Sequence, residues 1–249
     1  MKLVLAEPKF LKESVGIISE LVNEVTIKID KDKLELIAMD PANVAMIVFK
    51  LLSSAFIEYN VDKEEQISIS LDSFRQILRR AKPRDTITLE LDDKKSRLSI
   101  NLKGESHRTF NMALIDIEEK EQKVPELKFP LKIEVPTLVF NESIEDMSVV
   151  AESVAFIAEK NKFTIQAESK LNDAKVEVSQ DEETKIELNK DDNVLSRYSL
   201  DYLRKIAKGS KLSDTMTLEF DNEYPLKAVF RIMDKLELIT ILAPRVSND

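Results

Sequence analysis

The chain has 249 residues, of which 43% are hydrophobic and 33% charged; its formal net charge is -9, it has three glycines and no cysteine, and its one histidine is His107. That length and apolar content suit a globular chain of one large domain or two of about 120 residues each. The composition excludes disulfide and thiolate chemistry, and the acidic balance argues against a uniformly phosphate-binding surface, so a nucleic-acid role has to rest on local segregation of charge. Many charges with few glycines fit a heat-tolerant protein. No run approaches the roughly 18 apolar residues of a membrane span. The segment from Met1 to Pro8 lacks the apolar stretch of a signal peptide. The expectation is a cytoplasmic protein with no membrane partner.

In chain order, an amphipathic helix is expected over about 8–22, followed by a β-hairpin turning at Lys31-Asp32-Lys33 and an alternating strand from Val44 to Leu51. A second helix begins at Ser70-Leu71-Asp72, where Ser or Asp can cap it, and a strand follows from Thr86 to Leu91. His107 falls in the alternating run Ser106 to Met112, where a surface or strand-pairing role outweighs a catalytic one. The run Ile117 to Pro125 is charged, lacks glycine and ends at a proline, so it reads as an extended, solvated connector.

The pattern then returns. Ser70 to Leu91 (SLDSFRQILRRAKPRDTITLEL) aligns without gaps with Ser199 to Phe220 (SLDYLRKIAKGSKLSDTMTLEF) at an offset of 129, with 11 of 22 positions identical. Val25 to Met39 matches Val154 to Glu168 at the same offset, and Ser14, Ile18 and Leu21 match Ser143, Met147 and Val150. Three segments at one offset make the chain a duplication. The second copy repeats a first helix over about 137–151, a hairpin at Lys160-Asn161-Lys162, a second helix from Ser199 and a strand from Thr215 to Phe220. Strands outnumber helices, so each copy reads as α+β, a sheet covered on one face by two helices. The expected boundaries are a domain at 1–116, a connector at 117–129 and a second domain at 130–249.

Catalytic chemistry is hard to place. Gly16, Gly104 and Gly209 stand far apart, so there is no phosphate loop. One histidine and no cysteine exclude the common zinc sites. Asp92-Asp93 and Asp191-Asp192 sit beside turn-like positions and read as solvated loops. No catalytic residue, metal site or cofactor is expected, and the chain reads as a binding scaffold.

Charge, by contrast, is segregated. In the second helix of copy one, Leu71, Phe74, Ile77, Leu78 and Ala81 form a core-facing stripe, while Arg75, Arg79 and Lys82 line another face. Copy two repeats this, with Leu203, Ile206 and Ala207 inward and Arg204, Lys208 and Lys211 outward. Arg80, Arg84 and Lys205 add charge nearby, and the first helix carries Lys9 and Lys12. Such faces suit phosphate contact without base readout, against the plainer reading of a solvated basic face. The first helix of copy two is instead acidic, with Glu142, Glu145 and Asp146.

Several short runs carry a resemblance. Ala38-Met39-Asp40-Pro41-Ala42-Asn43-Val44, Tyr198-Ser199-Leu200-Asp201-Tyr202-Leu203, Leu212-Ser213-Asp214, Pro225-Leu226 and the ending Leu242-Ala243-Pro244-Arg245-Val246 resemble, in order, the pattern of DNA sliding clamps of the proliferating cell nuclear antigen family, archaeal type. The resemblance spans the whole chain. It implies a duplicated clamp fold, two helices packed on antiparallel sheets per domain, and a trimeric ring around duplex DNA. Lys9, Lys12, Arg75, Arg79, Lys82, Arg204, Lys205, Lys208 and Lys211 would face the phosphates. Arg80, Lys82 and Arg108 of one subunit would meet Glu142 and Asp146 of the next, and the strand holding Thr109 and Phe110 would pair with the strand holding Lys175 and Glu177.

The resemblance further implies that a clamp loader opens the ring. DNA polymerase, flap endonuclease and DNA ligase would dock by short peptides on Met39, Val44, Val124, Pro125, Pro225, Ile241, Ala243 and Pro244. The connector, Glu119 to Lys123, departs from the family in being more charged, as do Asn43 and Ile241 in smaller ways, which bears on partner choice. The alternatives are a paralogous subunit acting in a heteromeric or less stable ring and, outside the class, an enzyme on a duplicated α/β scaffold, which would need a clustered polar pocket.

Overall fold

The computed structural model describes residues 1–92, 96–117 and 122–245. Residues 118–121 of the expected connector, Asp93 and Val246 lie outside the described residues. The chain forms two compact units. Unit 1 takes Met1–Pro41, Ile47–Val124 and Arg231–Leu238; unit 2 takes Ala42–Met46, Pro125–Phe230 and Ile239–Asp249.

The first copy of the repeat runs β1 (Lys2–Leu5), α1 (Pro8–Ile18), β2 (Glu24–Ile29), β3 (Lys33–Met39), β4 (Ala45–Leu52), β5 (Glu58–Asn60), β6 (Glu65–Ser70), α2 (Leu71–Leu78), β7 (Thr86–Asp92), β8 (Arg97–Lys103) and β9 (His107–Ala113). The second runs β10 (Leu131–Pro136), α3 (Thr137–Ser148), β11 (Ser153–Glu159), β12 (Lys162–Glu168), β13 (Asp173–Ser179), β14 (Lys185–Leu188), β15 (Val194–Ser199), α4 (Leu200–Ala207), a 3-10 turn (Lys208–Lys211), β16 (Thr215–Phe220), β17 (Leu226–Ile232) and β18 (Leu236–Leu242).

Both first helices are shorter than their periodicity suggests. The Ser19 hydroxyl donates to the Gly16 carbonyl at 2.9 Å, and the Ser148 hydroxyl donates to the Ile144 carbonyl at 2.7 Å. Hydroxyls that bond back to the preceding turn compete with continued helix, and the chain leaves the helix at these points.

The strands of each copy divide between two rows rather than forming one sheet. Copy one has the orders β5-β1-β7-β8-β9 and β4-β3-β2-β6; copy two has β14-β10-β16-β17-β18 and β13-β12-β11-β15. The chain changes rows several times: α1 carries it from β1 to β2 and α2 from β6 to β7, and β5 crosses back between them. Every strand of copy one has its counterpart at the same place in copy two, so the duplication extends to strand order. β18 runs beside β4: in unit 1 the Leu52 N–H donates to the Lys235 carbonyl at 2.8 Å, and in unit 2 the Ala243 N–H donates to the Val44 carbonyl at 2.9 Å.

Period-two burial explains the rows. Ile87 and Leu89 of β7 and Leu98, Ile100 and Leu102 of β8 are buried, with half-buried or exposed residues between them. Phe10, Leu11, Val15 and Ile18 form the buried face of α1, and Leu71, Phe74 and Leu78 that of α2; the two helices pack on each other. Each such side chain contributes about 1.5–3 kcal/mol by leaving water. Unit 2 has an aromatic centre: Phe156 lies 5.3 Å from both Phe163 and Tyr198 and 5.9 Å from Phe220, between ring centroids. Among the described residues no helix is long and apolar enough to cross a membrane.

Candidate nucleic-acid and subunit interfaces

α2 begins at Ser70, whose hydroxyl accepts from the Ser73 N–H, and has Asp72 in its first turn, where a carboxylate suits the helix dipole. It ends at Leu78. Of the expected stripe, only Arg75 is on the helix; Arg79 is the residue that closes it, and Lys82 lies in the turn beyond, just before Pro83. α4 likewise ends at Ala207, so Arg204 and Lys205 are helical while Lys208 and Lys211 ride on the 3-10 turn. Propensity does not place such ends: α2 stops at Leu78 although its apolar stripe continues to the buried Ala81.

The cations differ in what holds them. Arg75 is bound by Asp72 at 3.1 Å and Glu20 at 3.8 Å. Lys12 donates to the Ala81 carbonyl at 3.2 Å, which brings α1 to the exit of α2. Lys82 pairs with Glu105 at 2.7 Å, with both side chains largely in solvent, so the pair is easily exchanged. Lys205 pairs with Asp201 at 2.9 Å and sits 5.2 Å from the Tyr202 ring. Lys9, Arg79, Arg204 and Lys211 are exposed and form no ion pair with another described residue; Lys208 is also exposed. α1 packs on α2 in unit 1 and α3 on α4 in unit 2, so each unit holds its own group of cations.

Arg108 is engaged inside its own unit. Its guanidinium donates to the Asp85 carboxylate and to the Arg80 carbonyl, the latter at 2.8 Å. Asp85 also accepts the Lys82 N–H at 2.8 Å. That N–H bond and the Arg108 charge hold the Asp85 carboxyl below its ordinary pKa. Gly104 is required beside it, since a Cβ there would lie 2.0 Å from Asp85 Oδ1. This knot orients the turn that presents Arg80, Lys82 and Arg84. The sequence reading missed Asp85, Glu105 and Glu20, because their partners are distant in the chain and no local spacing marks them.

Among the described residues, two long strands are open. β9 and β13 are edges of their sheets, whereas later segments cover the edges of β6 (Ile115 N–H to Ser68 carbonyl, 2.9 Å) and β15 (Arg245 N–H to Arg197 carbonyl, 2.7 Å). On β9, Thr109 is exposed and its hydroxyl donates to Asn101 at 2.7 Å, while Phe110 is half-buried. On β13, Lys175 binds Glu177 at 2.7 Å, and Lys162 binds it at 3.3 Å. The bond from Lys175, then that from Lys162, lowers the Glu177 pKa. Glu142, Glu145 and Asp146 stand exposed on α3, flanked by exposed Leu138 and Val149.

Of the expected peptide-docking residues, Val44, Pro225, Ala243 and Pro244 are half-buried in unit 2, Ile241 is buried there, and Pro125 is exposed. In unit 1 Met39 is half-buried and Val124 is exposed. Asn43 adopts φ 58°, a left-handed turn that Asn tolerates better than most residues.

Family models match both halves: the proliferating cell nuclear antigen N-terminal domain over residues 1–122 and its C-terminal domain over residues 123–245. The chain belongs to the proliferating cell nuclear antigen family. A protein of Nanoarchaeum equitans named DNA polymerase sliding clamp is 33% identical, over 98% of this chain and 99% of its own length. Thermococcus kodakarensis DNA polymerase sliding clamp 1 is 35% identical over 96% of each, and the Pyrococcus abyssi DNA polymerase sliding clamp is 35% identical over 92% of each. The fold matches a crystal structure of the family from Thermococcus kodakaraensis with a TM-score of 0.92, at 23% identity over 98% of this chain and 99% of the other. The duplicated α+β fold is thus that of the proliferating cell nuclear antigen family.

Proposed function

We propose that the chain is a DNA polymerase sliding clamp, three copies of which close head to tail around duplex DNA. The observation that carries this is the unequal use of equivalent strands. β18 lies beside β4 within the chain, yet their counterparts β9 and β13 are left as open edges of seven residues each. A second copy supplies what each edge lacks, and a rotation repeated until it closes gives a ring. Pairing also hides two edges that would otherwise invite aggregation. Glu142 and Asp146 on α3 face the exposed cations Arg80 and Lys82 of the neighbour; Arg108 contributes indirectly, by fixing the turn that carries them.

On this reading the cations of α1, α2 and α4 line the inner wall and touch phosphates loosely, so retention comes from topology rather than contact energy. That reconciles a net charge of -9 with a DNA partner. Polymerase, flap endonuclease and ligase peptides dock on the Met39, Val44, Val124, Pro125, Pro225, Ile241, Ala243 and Pro244 set, and an ATP-driven loader opens one seam. The clamp itself catalyses no reaction and works in the cytoplasm, on the nucleoid. The test is polymerase processivity on primed circular DNA with the matching loader, together with mass in solution. Long products and a mass near three times 28.5 kDa are expected. No stimulation at low salt, where screening is weakest, sinks the reading; a stable mass only in the presence of a different clamp subunit would instead indicate a heteromeric ring.

A further inference from the structure

His107 is the only histidine, and the chain has no cysteine. Apart from the α-amino group, His107 carries the one side chain whose ordinary titration falls between about pH 5 and 8. It stands exposed at the first position of β9, on the open edge.

The two open edges sort their side chains in the same way. On β9, Arg108, Phe110 and Met112 lie on the more buried row, and His107, Thr109 and Asn111 on the exposed row. On β13, Ala174, Val176 and Val178 are half-buried, while Asp173, Lys175, Glu177 and Ser179 are exposed. Antiparallel pairing sets like faces opposite one another and runs the start of one strand along the end of the other. His107 of one copy then meets the last part of the exposed row of the next, where Glu177 is the charged residue. A two-residue change of register decides only whether Glu177 is directly opposite, at about 5 Å between Cβ atoms, or diagonal at about 7–8 Å. Imidazole and glutamate span either.

The surrounding charges are mixed. On the His107 side, Lys103 is its cross-strand partner on β8, Arg108 lies on the other row, and Glu105 in the adjoining turn is held by Lys82. On the β13 side, Lys175 and Lys162 bind Glu177, Glu159 binds Lys162 at 2.8 Å, and the acidic turn with Asp181, Glu182 and Glu183 follows. In that turn Asp181, Glu182 and Glu183 are all exposed, and the Asp181 carboxylate accepts the N–H groups of Glu183 and Thr184.

We propose that His107 of one copy and Glu177 of the next form a charge pair across the seam, so that the ring holds more tightly when the imidazole is protonated. The inference rests on the ring reading given above. Only the protonated imidazole can make this pair, so the added hold is present in acid and is lost as rising pH removes that proton. The experiment is sedimentation of the full chain over a dilution series at about pH 5.8 and about pH 7.8. Each seam should be about threefold tighter at the lower pH, the size of a solvent-screened pair. His107→Gln and Glu177→Gln should each remove the difference, and His107→Lys should hold tightly at both pH values. A trimer with no pH dependence, or a dependence that survives His107→Gln, overturns the inference and leaves the ring standing. A chain that stays monomeric at every pH and concentration overturns the ring reading itself.

Discussion

α2 and α4, with the turns that follow them, present cations at three equivalent positions, Arg75 with Arg204, Arg79 with Lys208 and Lys82 with Lys211, but hold them by different means. In copy one, Arg75 is bound to two carboxylates and the exit turn is tied by Asp85, Lys82 and Arg108. In copy two, Val149 replaces the counterpart of Glu20, Arg204 is exposed, and the exit turn packs Gly209 against Phe230 so closely that a Cβ would come 2.3 Å from the ring. The exit turn of copy one is held by charge and that of copy two by packing, although Lys205 of copy two keeps its own pair with Asp201. The first should therefore respond to acid, and Arg204, exposed and with no ion pair among the described residues, should be more available to a polyanion than Arg75.

The largest effect should come from the packed exit. Phe230→Ala should destabilise unit 2 by about 3–5 kcal/mol in urea unfolding, and Gly209→Ala should also destabilise it, because the ring has to shift. If both leave the midpoint unchanged, packing does not hold that turn. Next is Asp85→Asn. The Asp85 pKa is lowered in the fold, so its stabilisation is present above the ordinary carboxylate range and fades as pH falls through the lowered value. The variant should be less stable at neutral pH, and the gap to the parent should close in acid, read from denaturant midpoints against pH. An unchanged gap at low pH would rule out charge as the tie.

A smaller effect tests the phosphate role. Arg204→Ala should lower the salt slope of DNA retention by about one unit. Arg75→Ala should lower it less, since that guanidinium already has two carboxylates. Equal slopes would mean that the ion pairs of Arg75 open freely on DNA. The smallest effect is at the caps. Ser70→Ala should cost about 0.5–1 kcal/mol, and Ser199→Ala less, because the Ser199 side chain makes no capping bond. Differential unfolding of the two variants decides it.

Much of this was legible in the residues. The 129-residue offset marked the duplication, and the β7 and β16 strands stand where their alternation put them. The cations and the acidic face of α3 could be named in advance. The helix ends could not be, so Arg79 and Lys82 moved off the helix to which their spacing assigned them. Arg108, which the family resemblance assigns to a neighbour, also binds Asp85 in its own unit; that carboxylate lies 23 residues away and follows no periodic rule.

The sequence by itself determined the repeat, the alternating faces and the identity of each charge, since these depend on local period and side-chain chemistry. Only the tertiary structure decided which charges are spent within a unit and which strands remain open. Those outcomes depend on pairings between residues far apart in the chain, and no local pattern encodes them.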